Sequence, residues 1–189
     1  MKAAVIIVDM LEDSFAEPRN LQREEEKIVQ PMRAFLKRCR GLAIPIIFAN
    51  DSFLREDFIF KGRLKPYAIR GSAGERVLQD LEPEPTDVIL PKRRFSAFFK
   101  TDLDQTLRTY GLDTVVIGGI NTHVCVVATA LDAICHDFYT IMLEDLCAAY
   151  KKDIHENVMN AHRNSSLSPL FRVMMSDQFL EACGHAKEA

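Results

Sequence analysis

The chain has 189 residues, 48% hydrophobic and 27% charged, with a formal net charge of −3. That suits one globular domain over residues 1–189. It offers no basic cluster for nucleic acid and no apolar run near the roughly 18–20 residues that span a bilayer. The five cysteines, at 39, 125, 135, 147 and 183, lack C-x-x-C spacing, so a disulfide framework or zinc ribbon is not expected and a reducing cytoplasmic setting is.

Ala3–Val8 is an apolar run that ends on Asp9. A leading signal peptide would not stop so soon at an acid, so this is the first strand. Asp9 then lies at a strand's carboxyl end, where open α/β sheets bind ligands. A turn residue or helix cap is the plainer alternative. Residues 10–19 form a loop. Ile28, Met32, Phe35, Leu36 and Cys39 recur at helical spacing, which predicts an amphipathic helix over residues 23–40. Glutamates 24–26 suit its start, Lys37, Arg38 and Arg40 its end, and Gly41 its stop. Pro31 either kinks this helix or starts its second part.

Residues 44–49 form a second strand running into Asn50 and Asp51. From there to Ser72 no period shows, and a connection so long is usually a site wall or a subunit contact. Residues 74–81 read as a short helix, followed by the breaker Pro83-Glu84-Pro85. Residues 87–90 are a third strand ending at Pro91-Lys92, and Thr101 caps a helix to Tyr110. A β-branched fourth strand covers residues 114–117, and Gly118-Gly119 break it. Val124, Val127, Ala128 and Leu131 then follow a helix, with Cys125 in its first turn. The positive end of the helix dipole favours a thiolate there; a buried structural cysteine is the alternative. Residues 139–143 form a fifth strand ending near Glu144-Asp145. A polar helix follows over residues 152–164, then a last strand, Phe171–Met174, and a terminal helix over residues 177–183. This alternation predicts a parallel sheet with helices on both faces and right-handed crossovers.

Asp9, Lys92 and Cys125 thus end or follow three strands at one edge of the sheet. A carboxylate beside a thiol can take its proton and return it to a leaving amine. A lysine between them keeps the acid ionised.

Four blocks carry a resemblance over nearly the whole chain: Val5-Ile-Ile-Val-Asp9-Met10, Pro91-Lys92-Arg-Arg94-Phe95-Ser-Ala-Phe98, Gly118-Gly-Ile-Asn121-Thr-His-Val-Cys125, and Thr129-Ala-Leu-Asp132-Ala133. The sequence resembles the isochorismatase-like cysteine hydrolases, among them nicotinamidases and N-carbamoylsarcosine amidases. The resemblance implies a three-layer α/β/α sandwich with a six-stranded parallel sheet in the order 3-2-1-4-5-6. It also implies an Asp9, Lys92 and Cys125 triad, a cis peptide between Ile120 and Asn121, and an oxyanion hole made by the main-chain N–H groups of Asn121 and Cys125. The reaction implied is hydrolysis of a small linear amide or carbamoyl (ureido) compound through a thioester, in a homo-oligomer, dimer or tetramer.

Nicotinamidase-type members carry a metal site built on Asp-x-His after the second strand and a later histidine. Here those positions read Asp51-Ser52-Phe53 and Tyr67. Zinc or iron wants about three to four N, O or S ligands, so no metal or other cofactor is expected and nicotinamide is an unfavoured substrate. A vinyl-ether hydrolase of the isochorismatase type and a non-catalytic member of the fold are the alternatives. Phe15, Phe53, Phe95 and Phe98 either line an apolar pocket for substrate or belong to the core. Arg94 either holds a substrate carboxylate or makes a salt bridge, and Asn121 is a further substrate-binding candidate. His123 is read as structural or at the pocket rim, because i and i−2 face apart on a helix. The other histidines are read as surface or interface residues.

Overall fold

The computed structural model describes residues 1–16 and 22–185. Six parallel strands, β1 (Ala3–Val8), β2 (Ile46–Asp51), β3 (Val88–Lys92), β4 (Thr114–Ile120), β5 (Tyr139–Ala148) and β6 (Phe171–Met174), form one sheet in the order β3-β2-β1-β4-β5-β6. This is the order expected from the resemblance. The two central strands are buried along their whole length. That is why they read as unbroken apolar runs.

Alternate residues of these strands feed two separate cores. Val5, Ile7, Phe48, Val116 and Ile141 pack with Ile28, Met32, Phe35 and Leu36 of helix α2 (Gln22–Gly41) and with Phe179 of α6 (Ser176–His185). Helix α1 (Glu12–Phe15) is a single turn after β1. Ala4, Ile6, Val8, Ile47 and Ile117 face the other way. They meet Leu103 and Leu107 of α3 (Leu103–Thr109), Ala130 and Ala133 of α4 (Val127–Cys135) and Met159 of α5 (Lys152–Arg163). The result is helix, sheet, helix.

Several expected boundaries move, each for a physical reason. Helix α2 runs unbroken through Pro31, which sits on its exposed side. Residues 74–81 are two short 3-10 turns, Ala73–Glu75 and Gln79–Leu81. Helix α3 starts at Leu103, and the Thr101 hydroxyl accepts that residue's N–H at 3.3 Å. Gly118 and Gly119 do not end the fourth strand: β4 continues through them to Ile120. Glycine is needed at both because neighbouring backbones press in. A Cβ on Gly118 would stand 3.1 Å from the Leu146 carbonyl oxygen, and one on Gly119 would overlap the Val8 backbone. Gly119 also has φ +118°, a value side chains resist. Strand β5 does not stop at Leu143 either. It bulges over Glu144 to Leu146 and rejoins β4 at Cys147 and Ala148. The bulge has its own work: Asp145 accepts the N–H of Ser176 at 2.8 Å and starts α6, and Glu144 pairs with Arg163.

Candidate active site

Three strand ends deliver three side chains to one point. Asp9 follows β1 with φ +54°, Asp51 closes β2 and Lys92 closes β3. The register fixes this, since Asp51 lies directly opposite Lys92. Lys92 is fully buried, and its Nζ donates to Asp9 Oδ2 at 2.8 Å and to Asp51 Oδ1 at 2.5 Å. The main-chain N–H of Asp51 donates to Asp9 Oδ1 at 2.8 Å. Asp9 is thereby held at both oxygens. Tyr67, from the long connection, donates its hydroxyl to Asp51 Oδ2 at 2.6 Å.

Cys125 enters from β4. The Ile120–Asn121 peptide is cis, and a widened turn, Thr122–Val126, leads into α4. Cys125 Sγ and the carboxylates of Asp9 and Asp51 lie within 4.8 Å of one another. Thr129 ties the turn down: its buried hydroxyl donates to the Cys125 carbonyl at 2.7 Å and accepts the Ala97 N–H at 3.0 Å.

Burial dominates the electrostatics. It pushes the Asp9 carboxyl up to about 7, with Asp51 adding to the rise and Lys92 pulling back. Burial, and then the charge of Asp9, hold the Cys125 thiol well above its ordinary value against the pull of Lys92. Burial thus favours the thiol form, whereas the helix terminus on which a thiolate was expected favours the ionised form. Lys92 loses by burial but gains more from Asp9 and Asp51, and stays charged.

The metal expected of some relatives does not fit these residues. Among the described residues, the cluster able to ligate is Asp9, Asp51 and Cys125, with no histidine. An ammonium already sits against both carboxylates, and the other Asp51 oxygen is taken by Tyr67. A divalent ion would have to displace a buried lysine.

The structure places the other candidates as follows. Phe53 is buried beside the cluster, against Phe60 and Tyr67. Phe15 is half-buried and packs on the α2 side of the sheet. Phe98 is not at the site. It stacks on His136 with ring centroids 4.9 Å apart and touches Phe138, at the opposite end of α4 from Cys125. Phe95 is exposed. Arg94 makes the salt-bridge alternative, to Asp57 at 3.4 Å. Asn121 sits just before the turn that carries Cys125. His123 faces Tyr150, its ring 5.4 Å away, rather than serving as a partner of the thiol. His155, read as a surface or interface residue, is half-buried, with Nδ1 2.9 Å from the buried Thr122 hydroxyl.

Residues 3–176 match the family model of the isochorismatase domain. The chain belongs to the isochorismatase family. Within it, the chain is similar to ureidoacrylate amidohydrolase RutB of Pantoea ananatis, at 29% identity over 138 residues, 62% of this chain and 55% of that protein. It spans about half the length of that curated relative and less of others. Among solved structures it is similar to an isochorismatase-like hydrolase from Alkaliphilus metalliredigens, with a TM-score of 0.84 and 31% identity over 96% of this chain and 99% of that one. It is also similar to N-carbamoylsarcosine amidase from Thermoplasma acidophilum, with a TM-score of 0.79 and 30% identity over 94% and 98% of the two chains. No helix among the described residues is long and apolar enough to cross a membrane.

Proposed function

We propose that this family member hydrolyses a small linear amide or carbamoyl (ureido) compound with Cys125 as nucleophile, Asp9 as acid and base, and Lys92 as the charge that holds Asp9. The observation that carries this is Asp9 itself, hydrogen-bonded to an ammonium and within 4.8 Å of a thiol. A base that titrates at about 7 is matched to neutral solution.

In this reading the Cys125 proton passes to Asp9 as sulfur adds to the carbonyl carbon. The main-chain N–H groups of Asn121 and Cys125 receive the oxyanion. Protonated Asp9 returns the proton to the departing nitrogen, which leaves as ammonia or an amine, and the acyl group stays on sulfur. Asp9 then takes a proton from water, whose oxygen attacks the thioester. The acid product leaves, and the proton goes back to sulfur. Two similar proteins carry names of ureido-compound hydrolases, which favours the carbamoyl class. Asn121 is the substrate contact in this reading, and Phe53, fully buried against Phe60 and Tyr67, backs the cluster from the core. A homo-oligomer fits the apolar side chains that the long connection turns outward, Phe58 and Leu64.

The test is ammonia release across a panel of N-carbamoyl acids, linear amides and nicotinamide, with Cys125→Ala as blank. We expect the N-carbamoyl acids to lead, the variant to lose at least about a thousandfold, and dialysis against a chelator to change nothing. Turnover that survives Cys125→Ala, or that fails after chelation, overturns the proposal.

A further inference from the structure

We infer that a cavity on the outer edge of the sheet, beside β3, binds a small oxyanion carrying two negative charges. The cavity measures about 280 Å3 and is lined by Arg70, Pro91, Arg93, Arg94, Phe99 and Lys100. Four of its six lining residues are cations and none is an acid, on a chain whose net charge is −3.

The charges are only partly balanced. Among the described residues one carboxylate, Asp57, pairs with this group, taking Arg93 and Arg94 together. Among the described residues Arg70 and Lys100 have no acid partner. Arg70 uses its Nε on the Ser52 hydroxyl at 3.1 Å, and Lys100 lies over the Phe99 ring at 5.5 Å. Neither contact cancels charge. The Arg70 bond also fixes its guanidinium plane, which prepares the outer N–H groups for a planar or tetrahedral oxyanion. Pro91 and Phe99 supply apolar wall, and a recess with such walls concentrates the field of its charges. A single negative charge would leave most of this excess standing, so a dianion is the better match.

The site is separate from the triad, since none of Asp9, Lys92 and Cys125 lines it. It is linked to it through one residue. Ser52, which holds Arg70, follows Asp51 and donates its N–H to the Lys92 carbonyl at 2.8 Å. An anion that immobilises Arg70 therefore stiffens the strand ends bearing Asp51 and Lys92.

A phosphoryl group and a dicarboxylate share the required chemistry. Calorimetric titration of the full chain at low ionic strength, with inorganic phosphate in one arm and malonate in the other, tells them apart. We expect saturable binding of one anion per chain, the tighter arm naming the source. The exposed double variant Arg70→Gln, Lys100→Gln should bind at least tenfold more weakly, and Lys151→Gln, on α5's flank, as wild type. The inference fails if neither anion saturates, if chloride at matched ionic strength gives the same response, or if the double variant binds unchanged. Such a failure leaves the amide-hydrolysis reading intact, because neither residue touches the triad.

Discussion

Asp51→Asn is the sharpest probe of the electrostatics proposed for the site. Asp51 is the second cause, after burial, that raises Asp9 to about 7. The two carboxylates lie within 4.8 Å of each other, where unit charges repel by about 3.5 kcal/mol at an effective dielectric constant of about 20. At about 1.4 kcal/mol per pH unit this corresponds to about 2.5 units. Lys92 sits between the charges and local relaxation takes a further share, so we expect about one unit or more. The sign is set by the role proposed for Asp9 as base. It must be ionised to accept the thiol proton, so kcat/KM rises with pH through the Asp9 titration near 7. Removing the Asp51 charge makes Asp9 easier to ionise, and the acidic limb moves down. A weaker base also lowers the plateau, by about threefold per unit at a Brønsted slope near one half. Asparagine keeps an oxygen for Lys92 and an amide beside Tyr67, so the fold is spared. The assay is kcat/KM for ammonia release from pH 5 to 9, and carbon NMR of the Asp9 carboxyl reads the same titration without turnover. A limb that stays in place or moves up refutes the reasoning.

Two more substitutions test the frame around the site. Lys92→Met leaves Asp9 and Asp51 buried without their cation, which should cost about 3–5 kcal/mol by urea unfolding at pH 8. In that variant Asp9 ionises less readily folded than unfolded, so the deficit should shrink as pH falls; a deficit independent of pH would contradict the charge argument. Gly119→Ala, which must overlap the Val8 backbone at a positive φ, should lose about 3 kcal/mol or more of stability, and a neutral result would mean that β1 and β4 do not approach so closely.

The sheet was legible because its central strands are buried on both faces and carry β-branched runs. Asp9 and Lys92 were legible for a related reason: a charged residue directly after such a run must lie at a strand end. What failed to show was whatever depended on distant neighbours. Gly118 and Gly119 look like a turn in the sequence, but their small size answers to Val8 and Leu146. Glu144 and Asp145 look like the end of a strand because they are polar, yet they form a bulge from which β5 returns. Phe98 sits in a site-like block, and an aromatic there reads alike whether it meets substrate or packs under a helix. The Tyr67–Asp51 bond joins residues across a connection with no period, so its only trace was the replacement of an expected histidine. His155 gave no signal at all, since its partner Thr122 is brought to it by the fold.

The raised thiol and the raised carboxyl belong to one design when charge is followed instead of single groups. A lone thiolate at Cys125 would add a negative charge to a buried site that already holds Asp51, and burial opposes that. Passing the proton from sulfur to Asp9 adds none: thiol plus carboxylate becomes thiolate plus carboxylic acid, with Lys92 facing the same total charge throughout. In the proposed reaction the transfer also places the proton on the group that must next give it to the leaving nitrogen. Depressing the thiol by a second nearby cation would make a stable thiolate, but it would also strip Asp9 of its basicity and leave the departing amine without a donor. The position of Lys92 avoids this. It bonds both acids, while Cys125 lies beside Asp9, so in the proposed reaction the cation keeps the proton acceptor in place.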